Sequence, residues 1–345
     1  MHVPDGFLDA GTAVTTGAIS VATLGVALRQ TRDQMSDRQI PVAGMTAAFL
    51  FAAQMVNFPV AGGTSGHLIG GVLAAVLLGP SLGLVAMSVV ILVQALAFAD
   101  GGLTALGINL FNMGVVTTLA GYALFVLLRR LLPSNGGGIA AAAGLAAFVS
   151  VPLSAMAFSI EWLFGATAPV PFDTVFGAMV GVHVLIGVGE AVLTGLAVAT
   201  VLGTRPDLVY GARHLPRADA QQGAHRRVTA RVFALGALLV VVLMATVVSQ
   251  FASSEPDGLE RVAEDRGFAD TATDSALDSG LFADYATTGI DNETTSLAIA
   301  GLSGLAISVL VISGVLLAVR DRRSQPQPTN PVTVSESRDE ALEIS

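Results

Sequence analysis

HLIGGVLAAVLLGPSLGLVAMSVVILVQALAFAD (67–100) carries no charged side chain before Asp100. A helix that crosses a bilayer needs about 20 mostly apolar residues. This run is too long for one such helix and too apolar for a surface that faces water. GPSLG (79–83) is a tight-turn signal inside it, so the run reads as two spans, 66–80 and 82–98. Working outward, similar runs lie at 7–28, 41–58, 108–128, 137–164, 174–203, 228–250 and 294–319, nine in all. Composition agrees: 53% of the 345 residues are hydrophobic and 12% charged, where soluble proteins carry about 25% charged residues. The expectation is an all-α, polytopic membrane protein.

Positive charge favours the cytoplasmic side of a membrane. With the N-terminus outside, fifteen of the seventeen arginines fall inside; only Arg261 and Arg266 do not. Reversing the chain would leave two inside. The expected placement is therefore a plasma membrane, with the N-terminus extracytoplasmic and the C-terminus cytoplasmic. No basic leader or signal-peptide shape is expected before MHVPDGFLDA (1–10). The modules read as a seven-span core (1–203), an Arg-rich cytoplasmic linker (204–227), a two-span hairpin (228–319) and a polar, disordered cytoplasmic tail (320–345). The hairpin encloses an extracytoplasmic loop, 251–293, with eleven acidic residues against two arginines. Most of the net charge of −9 describes that loop, so it gives no support for a nucleic-acid partner.

The residue types missing from the chain exclude much. There is no cysteine, hence no disulfide framework and no thiolate metal site. There is no lysine, hence no P-loop, whose lysine reaches the nucleotide phosphates. ATP-driven movement by this chain would need hydrolysis on another subunit. No nucleophile–base pair or cofactor loop stands out, so an enzyme reading is poor and no cofactor is expected.

What remains is a set of histidines and polar groups on one face. The amine of Met1, the backbone nitrogen of His2 and the His2 imidazole can close fused chelate rings on one ion. A deprotonated amide nitrogen suits planar Ni(II) or Cu(II). On His2 alone, an arbitrary second residue is the favoured reading. His67, in NFPVAGGTSGHLIGG (57–71), falls on the same outer face and would add a fourth nitrogen; taken alone it is an interfacial histidine with a hydrogen bond. Asp100, Asn109 and Asn112, in FADGGLTALGINLFNMG (98–114), read either as partners that orient a ligand histidine or as loop and helix caps. His183 and Glu190, seven residues apart in the seventh span, share a helix face with a structural role favoured over a part in ion transit. Glu161 lies near the outer end of the sixth span. Ala13/Gly17 and Ala18/Ala22 in span one are spaced for a close helix contact.

Together MHVPDGFLD (1–9), NFPVAGGTSGHL (57–68), ADGGLTALGINLFNMG (99–114) and HVLIGVGEA (183–191) resemble the substrate-binding S component of energy-coupling factor cobalt/nickel transporters, the CbiM/NikM family. The resemblance covers most of residues 1–200. It implies a seven-helix core and a metal site made by the amine of Met1, the amide and imidazole of His2, and His67, holding Ni2+ or Co2+ as the transported ion. EPDGLERVAEDRGF (255–268) resembles the small two-span PDGLE component, so the chain reads as a fusion of the two. The resemblance also implies separate partners: a transmembrane coupling subunit, to which the span-one stripe would dock, and ATPase subunits. Glu255, Asp257 and Glu260 would then help load the ion by concentrating cations, or merely keep a hairpin loop soluble. A vitamin-binding S component and a passive metal carrier or channel are the alternatives.

Overall fold

The computed structural model describes residues 1–36, 38–213 and 228–324. Helix α1 (Ala10–Gln34) starts where the Asp9 side chain accepts a hydrogen bond from Thr12 N at 2.8 Å. The expected first span, 7–28, therefore begins too early: Phe7 and Leu8 belong to the segment before the cap. Helix α2 (Gln39–Gln54) leads into a short antiparallel hairpin, β1 (Phe58–Val60) with β2 (Thr64–Gly66), pairing Phe58 with Gly66.

The expected third span, 66–80, is corrected. Helix α3 (Gly71–Leu78) has eight residues, about 12 Å of rise, too short to cross a bilayer. Residues 67–70 instead enter the core as irregular backbone. Backbone off the helical ladder is tolerated at such depth only where protein groups satisfy it. Here the Glu190 carboxylate accepts from Ile69 N at 2.6 Å and from Gly70 N at 2.8 Å, and Gln54 Nε2 donates to Ile69 O at 2.7 Å. The long apolar run hid this because hydropathy does not register how a chain crosses, only that it is dry.

Helix α4 (Pro80–Phe98) follows after Gly79, whose φ of +90° makes the turn; Pro80 sits in the first turn, where no N–H is needed. Helix α5 (Leu106–Leu128) is π-wound from Leu110 to Ala120, and such windings gather at functional sites. Helices α6 (Gly136–Gly165) and α7 (Phe172–Thr204) form a close hairpin. Helices attract one another in lipid by packing more than by the hydrophobic effect, so small residues mark their contacts. A Cβ on Gly187 would be 2.6 Å from Phe148 O, and one on Gly144 would be 2.9 Å from Ala191 O. Pro152 lies inside α6 and cannot donate to Phe148 O, so that carbonyl is free to face Gly187.

The C-terminal part contributes α8 (Ala230–Thr246), α9 (Gly258–Arg266) and α10 (Glu293–Ser324). Helix α10 packs on α2, where a side chain at Gly304 would run into the Phe51 ring. The loop between α8 and α10 is no solvated connector. Leu259, Val262 and Ala263 of α9 and the following Phe268 are buried in one cluster with Met1, Val3, Phe7, Leu8 and Trp162. Trp162 and Phe268 lie 4.5 Å apart, centroid to centroid.

Among the described residues seven helices are long and apolar enough to cross a membrane; α2 and α3 are shorter. Their outer faces fit lipid: Val184, Val188, Val192 and Leu196 of α7 are exposed, while His183 and Glu190 on its other face are buried. The chain is an all-α, multi-pass membrane protein. The Ala13/Gly17 stripe is spent inside it, because Gly107 packs directly on Gly17 and Ala13 O; only Ala18 and Ala22 stay exposed. One end of the bundle joins Gln30 to Ser81 at 2.5 Å and Arg38 to Asp207 at 2.9 Å. The N-terminal segment and the α9 loop share the other end. Most of the Arg-rich linker, 214–227, and the tail from 325 on lie outside the described residues.

Candidate metal centre

The N-terminal segment is plugged into the bundle by its backbone. Asp5 is the latch. Its carboxylate accepts hydrogen bonds from Leu103 N, Thr104 N, Thr104 Oγ1 and Ala105 N at 2.5–3.2 Å. Val3 is gripped on both sides: its N–H donates to Asn109 Oδ1 at 2.7 Å, and its carbonyl accepts from Asn109 Nδ2 at 3.0 Å and Gly102 N at 2.9 Å. Gly6, with φ +93°, turns the chain, and Phe7 O then accepts from Thr167 N at 3.2 Å. The sequence alone did not show the work of Asp5. Replacing Asp5 with Ala frees the segment, so only a fraction of molecules holds the site assembled. Ni2+ affinity is expected to fall roughly 10–100-fold by that loss of pre-organisation, with Met1 becoming open to aminopeptidase. Calorimetry and a digestion time course check both. Unchanged values for both would refute the latch.

At the tip of the plug, Met1 is buried, 4% exposed. Its amine lies 3.1 Å from His67 Nε2 and donates to Asp257 Oδ2 at 2.5 Å. His67 Nδ1 is 3.0 Å from Leu68 O. A carbonyl only accepts, so Nδ1 carries the proton and the Nε2 lone pair faces the amine. Glu190, by holding Ile69 N and Gly70 N, fixes the strand of chain that aims this ring. Burial, the Met1 ammonium and the His2 imidazole together lower the His67 pKa, which favours the neutral imidazole that can ligate. Burial works to raise Asp257, but the adjacent ammonium outweighs it and holds that carboxyl well below the usual carboxylate range.

His2 completes the group. Its ring stacks on His67 with centroids 5.2 Å apart and planes at 22°. Its Nδ1 sits 3.1 Å from Asp100 Oδ1 and its Nε2 3.2 Å from Gln94 Oε1. Asp100 also accepts from the Tyr285 hydroxyl at 2.6 Å. Burial and Asp100 push the Tyr285 hydroxyl well up, so it stays a donor. Ligation through the His2 ring requires it to turn away from these partners. Among the described residues no group of three or more His, Asp or Glu side chains is placed to hold a metal ion. The donors gathered are one amine, two imidazoles and one carboxylate, so a four-nitrogen site here must use the amine and a backbone nitrogen.

A model of the cobalt uptake substrate-specific transmembrane region matches residues 2–208. The chain belongs to the CbiM family. A PDGLE-domain model matches residues 231–321. The putative fused nickel transport protein NikMN of Archaeoglobus fulgidus is 34% identical over 307 residues, 89% of this chain and 95% of that one. The fused nickel transport protein NikMN of Rhodobacter capsulatus is 31% identical over 347 residues, 92% and 97% of the two chains. A crystal structure of a truncated transition metal transporter matches with a TM-score of 0.52 at 32% identity, covering 59% of this chain and 98% of that one. As a CbiM-family member with a PDGLE domain, the chain is a membrane component for cobalt/nickel transport and not an enzyme.

The other expected residues of this CbiM-family chain divide by role. Asn109 holds the backbone of Val3, and Asp100 holds the His2 ring. Asn112 donates to Glu161 Oε2 at 2.7 Å, while its carbonyl accepts from Ser154, whose hydroxyl also lies 3.3 Å from Met1 Sδ. His183 and Glu190 do not contact each other's partners: His183 binds its own helix at Met179 O, and Glu190 holds the His67 loop. In the PDGLE loop, Asp257 alone reaches the amine. Glu260 caps α9 by accepting from Asp257 N at 3.3 Å. Glu255 and Pro256 offer backbone carbonyls to Ser65. Gln94 and Tyr285 were missed. Gln94 had a signal, as a lone amide in an apolar span; Tyr285, 185 residues from Asp100, had none.

Proposed function

We propose that this chain captures Ni2+ or Co2+ at its outer face for an ATP-driven uptake transporter. The four donors are the amine of Met1, the amide nitrogen and imidazole of His2, and His67 Nε2. The observation that carries the reading is the buried Met1 amine 3.1 Å from His67 Nε2, with the His2 ring stacked on His67. A deprotonated amide in the set favours Ni2+ over Co2+ on ligand-field grounds. The reading requires a free amine on Met1. Asp257, the carboxylate nearest that amine, is the PDGLE residue suited to attract the ion to the site.

The Arg asymmetry supports an outward N-terminus in the plasma membrane, and the absence of lysine supports ATP hydrolysis on separate ATPase subunits joined through a transmembrane coupling subunit. The exposed Ala18/Ala22 stripe of α1 is the surface offered to that coupling subunit. Two measurements test the reading. Calorimetry on protein whose free N-terminus is verified by mass should give one tight site for Ni2+. Vesicles holding this chain alone should accumulate no ion, and vesicles holding it with coupling and ATPase subunits should accumulate it on ATP addition. Uptake by the chain alone would favour a passive carrier, and vitamin binding without metal would refute the metal reading altogether.

A further inference from the structure

His183 has no part in the chelate, yet it faces it. The residue is 1% exposed. Its Nδ1 donates to Met179 O at 2.7 Å, which leaves the lone pair on Nε2. That Nε2 has no hydrogen-bond partner among the described residues, an arrangement that costs stability and calls for a reason. It borders a void of about 10 Å³ shared with Met1, His67, Asp257 and Gly258, room for about one water molecule or one bare cation. Gly258 packs closely at its rim: a Cβ there would lie 2.7 Å from Ile186 Cδ1 and 3.1 Å from His183 Cε1.

We propose that His183 Nε2 and the Asp257 carboxylate form a transfer station for the divalent cation, next to the chelate and under the PDGLE loop. The proposal rests on the chelate reading above. A hydrated dication must shed its waters to reach four buried nitrogens. A neutral imidazole and a carboxylate at the edge of the same void replace some of those waters before the chelate closes, so the exchange proceeds in smaller steps. At the station no bond of the protein is made or broken; closing the chelate then releases one proton from the Met1 ammonium and one from the His2 amide to water. Because the station lies on the path and not at its end, it lowers the barrier in both directions. Removing it slows entry and exit by the same factor and leaves their ratio, the Kd, in place.

The experiment uses the full chain in detergent, with a free N-terminus, rapidly mixed with Ni2+ while the visible ligand-field absorption of the planar ion is followed. Dissociation is started with excess chelator. His183→Asn retains an amide donor for Met179 O and deletes Nε2; Gly258→Ala keeps His183 and narrows the void from the loop side, with its methyl against Ile186 and His183 of α7. Each is expected to slow loading and release together by about tenfold or more, with the Kd nearly constant. Loading and release within about twofold of wild type in the folded variants would overturn the proposal. So would a weakened Kd with unchanged loading, which would make His183 a ligand of the chelate itself. If His183→Asn does not fold, Gly258→Ala decides alone. A failure of the chelate reading shows separately, as wild-type affinity in His67→Ala.

Discussion

One residue added ahead of Met1 is expected to remove tight Ni2+ binding and to leave the protein folded. In the proposed chelate the Met1 amine is both a donor and a plug. It is buried at 4% exposure, between His67 Nε2 at 3.1 Å and Asp257 Oδ2 at 2.5 Å. An extension converts the amine into an amide with no available lone pair, and the added residue has no volume to occupy. The chelate rings through His2 lose their anchor with it. The expected loss in affinity is about 1,000-fold or more, well beyond the 10–100-fold typical of an outer partner. An acetyl group on the amine acts in the same way. Thermal unfolding supplies an independent readout: Ni2+ at a hundred times its Kd stabilises the native chain by about 2.7 kcal/mol and the extended chain not at all. Cutting the extra residue away should restore both. Undiminished binding by the extended protein would end the chelate model.

His67→Ala is expected to lower affinity for Ni2+ and Co2+ by about 100-fold or more, since it removes a ligand and not a supporting group. The planar ligand-field spectrum of bound Ni2+ should vanish with it. The His67 ring also stacks on His2 and accepts from the amine, so the substitution leaves a small cavity of its own. A modest fall in stability, about 1–3 kcal/mol, is therefore part of the expected result. The unfolding midpoint measured without metal separates that effect from ligand loss. A variant that keeps both wild-type affinity and the planar spectrum would place the ion elsewhere.

The asymmetry between these residues and their neighbours follows from what each touches. Glu190 never meets the ion, yet it satisfies two backbone N–H groups immediately after His67. Asp5 meets neither ion nor histidine, yet four donors converge on it. The site is a set of donors on short, irregular backbone, and buried carboxylates on rigid helices and turns hold that backbone still. This explains why a membrane protein with so few charges places Asp5 and Glu190 in its interior.

Local pattern alone determined a good deal of this protein. Runs of about 20 apolar residues can only be buried or in lipid, so the helical membrane class was legible without coordinates. The histidines at 2 and 67 stood out because imidazoles are rare in this chain, five in 345 residues. Tertiary structure decided the rest. It turned the run at 66–80 into a descending loop and an eight-residue helix, because hydropathy measures dryness and Glu190 and Gln54 supply the hydrogen bonds a helix would have made for itself. It spent Gly17 on Gly107. It laid Asp257 on the Met1 amine, 256 residues away along the chain, and Tyr285 on Asp100. Periodicity reports which face of an element is buried, not what it is buried against. Contacts between distant segments are set by how the helices and the acidic loop close over one another, and that closure is written in no single stretch.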